Sequence, residues 1–335
     1  MDPLTHVVMG RAVVAAVRDE RRDRAVGAAA ILGALSPDVD SAIAFAGWDR
    51  YVRAHQFGTH AIAGALVTAT LAAALVAAVA RRPWRRRDAL TSSPPRFATL
   101  LAAAAAGAMS HIGLDLVSGA RIALAWPILD RRVSAPLVAM ADPWFVAICV
   151  GGFLVLRTAR VGRRAASRAS IAAAAVVLSV KAALLVTALR RADMQPATVS
   201  AIEARWGSLT DWYVFERLAD GVRASLVSSG GRPPIVFLTH PLPPDTKFVR
   251  ASRSLDDVRN FLAVHEFAFA SETADEDDRV AVMWSDLRYC GAGGCGVWVG
   301  GIFDRRGRAI TQEVRVGRVV QRRPPPAPSD LDGQP

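Results

Sequence analysis

Over the first 190 residues, long apolar stretches alternate with short arginine-rich breaks, and beyond them apolar and polar residues alternate. Residues 60 to 80, 97 to 118 and 169 to 189 are each long enough to cross a bilayer as a helix, which takes about 20 apolar residues. Residues 25 to 46 make a fourth such segment, interrupted by the run Ser36-Pro37-Asp38-Val39-Asp40, and residues 142 to 157 a shorter fifth. Residues 5 to 17, broken by Arg11, predict a brief helix that is half-inserted or packed on the others. The pattern therefore predicts an all-α membrane bundle of about five spans plus a short N-terminal helix over residues 1–190.

Residues 191–321 read as a small soluble α+β domain. Residues 211 to 228 predict two strands around the turn Asp220-Gly221, a short-range hairpin signal. Residues 254 to 264 predict a helix with Ser254 at its cap and acidic residues in its first turn. Residues 280 to 289 and 297 to 304 predict a further strand pair joined by the glycine-rich loop from Cys290 to Cys295. The proline-rich tail, 322–335, is expected to be disordered.

The whole chain of 335 residues is 52% hydrophobic, in line with a membrane part carrying a soluble part. Its net charge of +11 comes almost wholly from arginine, and the distribution of those arginines decides what the charge is for. The loops 18 to 24, 81 to 96 and 157 to 168 hold four, six and five, against two and three in 48 to 59 and 119 to 142. The positive-inside rule puts the first set in the cytoplasm and the last span's end, with the soluble domain, outside. No arginine-lined recognition helix or zinc finger is visible, so nucleic acid is not an expected partner. The N-terminal segment lacks a basic region, and no cleaved signal peptide is expected. Cys149 is isolated, whereas Cys290 and Cys295 form a disulfide if the domain is extracytoplasmic or stay free thiols in a hairpin loop.

Asp38 and Asp40 stand out because a carboxylate within a membrane segment is costly and faces a cavity, a partner or an ion. His6, His55, His60 and His111 also lie at or near the ends of apolar segments. With the arginine-derived topology, these groups and Asp115 converge towards the outer side. His111 and Asp115, four apart on a helix, share one face. Imidazole with carboxylate suits zinc, manganese or iron better than calcium or magnesium. Of His6, His55, His60 and His111, three or more, with two or three of Asp38, Asp40 and Asp115, would hold one divalent ion or two bridged by a carboxylate, Asp38 and Asp40 being the first expected carboxylate ligands. Such a centre activates water against an ester or phosphoester. His55 is the candidate substrate-facing or supporting group, with solvent exposure as its ordinary reading. Thr59 either orients His60 or caps the following helix, the cap being favoured, and Asp142 is read as a helix cap rather than a ligand. Lys181 either pairs with a carboxylate in the bundle or snorkels. His240 and His265 are read as structural, and Trp126 and Trp144 as an interfacial belt.

The stretches MDPLTHVVMGRA, LSPDVD, HQFGTHAIAG and HIGLDLVSG, in this order, resemble the signatures of the membrane-bound metal-dependent hydrolase family, also described as LexA-binding, inner-membrane-associated hydrolases. The segment VMWSDLRY is similar to the C-terminal extension of its longer members. The resemblance implies a multi-pass protein of the bacterial inner membrane whose substrate is not established. A more distant likeness to the zinc-dependent phospholipase C and nuclease group implies His6, Asp38, His60, His111 and Asp115 as ligands. One departure is His55-Gln56, where the family commonly has His-Arg; Arg53, Arg121, Arg131 and Arg132 are candidates for the missing positive charge.

A site near the outer face makes membrane lipids the expected surroundings and a lipid, lipid-linked molecule or phosphoester the expected substrate. Two other classes compete. A non-enzymatic regulator or scaffold would hold a structural metal in a closed shell, whereas a catalytic metal keeps a position open for water. Metal transport would need a second ligand set deeper in the membrane, and the sequence has none.

Overall fold

The computed structural model describes residues 2–17, 24–47, 50–51, 54–55, 57–81, 95–152, 154, 162–194, 199–274, 279–291 and 293–325. Its N-terminal part is helical: α1 (Pro3–Val17), α2 (Arg24–Leu35), a 3-10 helix (Pro37–Ala46), α3 (Ile62–Ala80), α4 (Phe97–Val117), a short α5 (Pro143–Val146) running into a π-helical turn (Ala147–Gly151), and α6 (Arg163–Arg191). Among the described residues three helices are long and apolar enough to cross a membrane, and there is a fourth candidate span if the pair Arg24–Leu35 and Pro37–Ala46, bent by 49°, is counted as one. Of the expected fifth span, 142 to 157, the described residues give α5 and the turn after it; 153 and 155–161 lie outside them. So do 18–23 and 82–94, which hold most of the arginines of the first two cytoplasm-assigned loops, and Arg53.

The helices meet on a core built mostly of alanine, including Ala29, Ala30, Ala65, Ala69, Ala104 and Ala108. Small side chains let backbones approach, and that approach is the main packing gain available where lipid is as apolar as the protein. A Cβ at Gly33 would stand 2.1 Å from the Ala104 carbonyl oxygen, and one at Gly107 2.2 Å from that of Ala30. Thus α2 and α4 touch backbone to backbone one turn away from His111. The bend after Leu35 follows from Pro37, which cannot donate to the helix ladder. Ser36 ties the bend down, its hydroxyl donating to the Gly33 carbonyl at 2.9 Å and lying 3.0 Å from the Thr68 hydroxyl.

The C-terminal part holds two antiparallel sheets. The first has the order β1 (Val199–Ala204), β2 (Asp211–Arg217), β3 (Gly221–Ser228), β4 (Ile235–Pro241). The second runs β11 (Val319–Arg323), β10 (Ala309–Val316), β9 (Val297–Phe303), β6 (Val280–Asp286), β5 (Ala268–Ala274). Both expected strand pairs form: Arg217 faces Val222 across the Asp220-Gly221 turn, and Trp284 faces Val299. Two short helices, α7 (Lys247–Ser252) and α8 (Asp256–Leu262), lie on the second sheet through Val249, Leu255, Val258 and Phe261. Ser254 is not the cap of α8: its hydroxyl donates back to the Ala251 carbonyl, and the N-cap is Leu255, whose side chain is buried in the core. The last strand continues through Arg323, beyond the expected domain edge at 321, and 326–335 lie outside the described residues. Cys290 and Cys295 are disulfide-bonded across the tiny β7 (Cys290–Gly291) and β8 (Gly294–Cys295) ribbon.

The two parts are joined by more than the chain. Leu185 and Ala188 of α6 share a core with Trp212, Val214 and Val227 of the first sheet. The Trp206 indole donates to the Ala141 carbonyl, and the Trp144 indole, expected in an interfacial belt, donates to the Gly207 carbonyl at 2.9 Å. Lys181 takes the first of its two expected roles and pairs with Asp142 at 3.2 Å.

Candidate metal centre

Four elements deliver the cluster to one end of the helical part. His6 sits in the first half of α1, Asp38 and Asp40 follow the Pro37 bend, His60 precedes α3, and His111 and Asp115 end α4. The loop before α3 is pressed on that helix because Gly64 has no side chain: a Cβ there would lie 1.9 Å from the Gly58 carbonyl oxygen. His6, His60 and His111 are fully buried and Asp115 nearly so, while the Asp38 side chain keeps 31% of its surface open towards a cavity.

One ligand atom from each of Asp38, His60, His111 and Asp115 lies within 4.8 Å of the other three. His111 Nε2 stands 3.2 Å from His60 Nε2, 3.2 Å from Asp115 Oδ2 and 3.6 Å from Asp38 Oδ1. His60 Nε2 is 3.4 Å from both Asp38 Oδ1 and Asp115 Oδ2. The other ring nitrogens fix which end of each ring faces the cluster. His111 Nδ1 is 2.7 Å from the Ala34 carbonyl oxygen, which can only accept, so Nδ1 carries the proton. The Thr59 hydroxyl donates to Asp40 Oδ2 at 2.8 Å, which leaves its oxygen to accept from His60 Nδ1 at 3.2 Å. With Nδ1 donating in each ring, Nε2 is the atom that each imidazole turns to the cluster, and a neutral ring offers a cation its lone pair there, beside two carboxylates. Ligand bonds of about 2.0–2.2 Å in a tetrahedron set neighbouring donors about 3.3–3.6 Å apart, close to the 3.2–3.6 Å of the separations given above. The cluster could hold a metal ion.

Asp40 and His6, the other two expected ligands, stand beside this group of four. Asp40 is held by His55 Nδ1 at 2.9 Å and by Thr59, so it orients both histidines around it; with Asp38 and His55 it also forms a second group of ligand atoms within 4.8 Å of one another. His6 lies outside both groups. Its Nε2 is 3.2 Å from Asp115 Oδ1, its ring stacks on His111 with centroids 3.8 Å apart, and both its nitrogens are buried without a hydrogen bond. Thr59 takes the less favoured of its two expected roles: it bonds His60 Nδ1 and Asp40, while α3 has Ala61 at its N-cap, with no side-chain bond there.

Beyond Asp38 the cavity, about 870 Å³, opens between the helical part and the C-terminal domain. Its far wall carries Glu203, His265, Arg288 and Tyr289, none of them among the candidate residues read from sequence apart from His265, read as structural. That reading holds for the ring, which stacks on Phe261 and is bonded to the Phe261 carbonyl and the Tyr289 hydroxyl. Asp286 grips the Arg288 guanidinium at 2.9 and 3.0 Å. Burial, opposed by the nearby Arg288 charge, pushes the Glu203 carboxyl up to about 7. The folded chain then holds this proton more tightly than the unfolded chain, so stability falls as pH rises from about 4.5 to about 7 and stays lower above. Glu203→Gln in the full-length protein should flatten that fall, with a gain of at most about 3 kcal/mol at pH 8 and none at pH 4. Parallel melting curves of the two proteins at both pH values check it; equal pH dependence would remove Glu203 as a buried titrating group.

Comparison with known proteins agrees with the membrane architecture and stops short of the chemistry. No curated protein and no solved structure matches the chain. Residues 1–192, the entire helical part with its His and Asp cluster, match the YdjM inner membrane protein family, and the chain belongs to that family.

Proposed function

We propose that the protein is a multi-pass, membrane-bound, metal-dependent hydrolase that cleaves an ester or phosphoester. The observation that supports this best is the pair of Nε2 atoms turned to one point 3.2 Å apart and beside two carboxylates, each ring fixed by the partner of its own Nδ1. Asp38, His60, His111 and Asp115 would hold the ion, zinc first, with manganese and iron as alternatives. When bound there, a divalent ion supplies Lewis-acid polarisation of the ester and a more acidic water. Asp38 belongs to both ligand groups, which supports room for a second ion beside Asp40 and His55. His55, held by Asp40 and stacked on Tyr51 with centroids 4.6 Å apart, lines the cavity and can accept a proton from an incoming nucleophile. The open edge of Asp38 favours a catalytic over a structural metal, because a reactant can reach the cluster from that side. The arginine distribution supports a site towards the extracytoplasmic face.

The test is hydrolysis of bis(p-nitrophenyl) phosphate, p-nitrophenyl esters and phospholipid by full-length protein in detergent, loaded in turn with each of the three metals. Turnover that disappears with chelator and returns with one metal is the expected result. Stoichiometric metal with no turnover on any of these substrates would favour the scaffold with a structural ion.

A further inference from the structure

Arg121 and Arg132 each precede one partner of an isolated antiparallel bridge, Ile122 with Val133, closed by two hydrogen bonds of 3.0 and 2.9 Å. The bridge brings the two guanidinium groups to one wall of the cavity. Arg121 has a carboxylate partner, Glu266 of the C-terminal domain, at 2.8 Å. Arg132 has none within ion-pair distance among the described residues; its guanidinium lies 5.4 Å from the centre of the Phe57 ring. Phe57 is three residues from His60 in the loop that positions the cluster, and its carbonyl accepts from the Ala61 amide. The platform under Arg132 is thus the segment that carries a candidate ligand.

A half-buried guanidinium beside a second one is unfavourable unless an anion joins them, and burial together with the Arg121 charge lowers the pKa of Arg132. The carboxylates of the cavity do not answer this need. Glu266 is committed to Arg121, Asp130 is solvent-exposed and its charge offsets burial and the Arg121 charge only in part, Glu203 stands by Arg288, and Asp38 and Asp115 belong to the cluster. A guanidinium fork suits the paired oxygens of a phosphate. The cavity volume falls in the usual range of about 300–1,000 Å³ for small-molecule sites. We infer that Arg132, with Arg121, forms an anion subsite that binds a phosphate group of the substrate, under a roof supplied by the C-terminal domain. The assignment of that phosphate to a substrate rests on the hydrolase reading; the anion site itself does not need the metal.

The experiment uses full-length protein in nanodiscs of neutral phosphatidylcholine, stripped of metal with chelator, and titrates inorganic phosphate by calorimetry. Saturable binding is expected in the wild type, at least about tenfold weaker in Arg132→Ala, partly restored in Arg132→Lys, and kept in His111→Ala. Equal binding by wild type and Arg132→Ala, or no saturable binding by the wild type, would overturn the subsite. Replacing a fifth of the lipid by phosphatidic acid separates the two sources. Competition with phosphate that depends on Arg132 identifies a lipid headgroup, and its absence, with glycerol phosphate binding instead, identifies a soluble ester. Metal content of the same wild-type preparation before stripping reports on the hydrolase reading independently: binding that depends on Arg132 in a protein that never held metal would sink that reading and leave the anion site standing.

Discussion

His111→Ala should lose stoichiometric metal while the protein stays folded and in the membrane fraction. The side chain makes the two shortest approaches within the group, 3.2 Å to His60 and to Asp115, and its Nδ1–H anchors it on the end of α2. Removing it deletes a ligand and also the group that keeps two carboxylates and a second imidazole at ligand spacing. A drop in metal affinity of at least about 100-fold is expected, more than the roughly 10- to 100-fold cost of deleting a supporting partner. Thr59→Ala supplies that milder comparison, because Thr59 touches the cluster only through Asp40 and His60 Nδ1. Elemental mass spectrometry of detergent-purified proteins, each offered zinc, manganese and iron, gives the readout. The predicted order is wild type, then Thr59→Ala, then His111→Ala with almost none. A folded wild type that retains no metal from any of the three would end the metal-centre reading.

What the sequence could show of this site depended on how local each relationship is. His111 and Asp115 are legible because four residues on a helix bring two side chains to one face whatever else the chain does. Asp38 and His60 are legible for another reason: polar groups in apolar surroundings need partners, and helix lengths place their ends at one level. For Thr59 the sequence favours the cap because type and position fit one, while the choice between capping and holding Asp40 depends on where the Pro37 bend sends the Asp40 carboxylate. The Glu203, Arg288 and Tyr289 wall carries no local signal at all. Each residue lies in or beside an ordinary strand, and its place opposite Asp38 exists only after the C-terminal domain docks. The same holds for Arg132, which is one of several loop arginines until the Ile122–Val133 bridge sets it beside Arg121. In the soluble part the two hairpins with glycine-rich turns were readable. The exposed edge strand β4 was not, since most of its residues face solvent and leave no alternation to detect.

Lys181→Met should destabilise the protein more than any other single change outside the cluster, and the reason lies in how the domain roof is held. Lys181 and Asp142 are buried, at 2% and 1% exposure, and face each other between α6 and the start of α5. Asp142 fulfils its expected role as a cap, one carboxylate oxygen accepting from the amides of Trp144 and Phe145 at 3.1 and 3.0 Å, and its other oxygen takes the lysine. The ammonium also donates to the Ser208 carbonyl in the β1–β2 connection at 3.0 Å, so one charge ties two helices of the membrane part to the C-terminal domain. Methionine fills much of the same volume, leaving a buried carboxylate without a counterion, which costs about 3–5 kcal/mol. Asp142→Asn keeps the cap acceptor and removes the charge, so the double variant should recover part of that loss even though neither ion remains. A double-mutant cycle on thermal unfolding, followed through tryptophan emission in detergent, measures this coupling. Additive losses would mean that each residue acts through separate contacts. A positive coupling would show that the pair is one electrostatic unit, and because Ser208 sits on its far side, loosening the pair should also loosen the roof over Asp38.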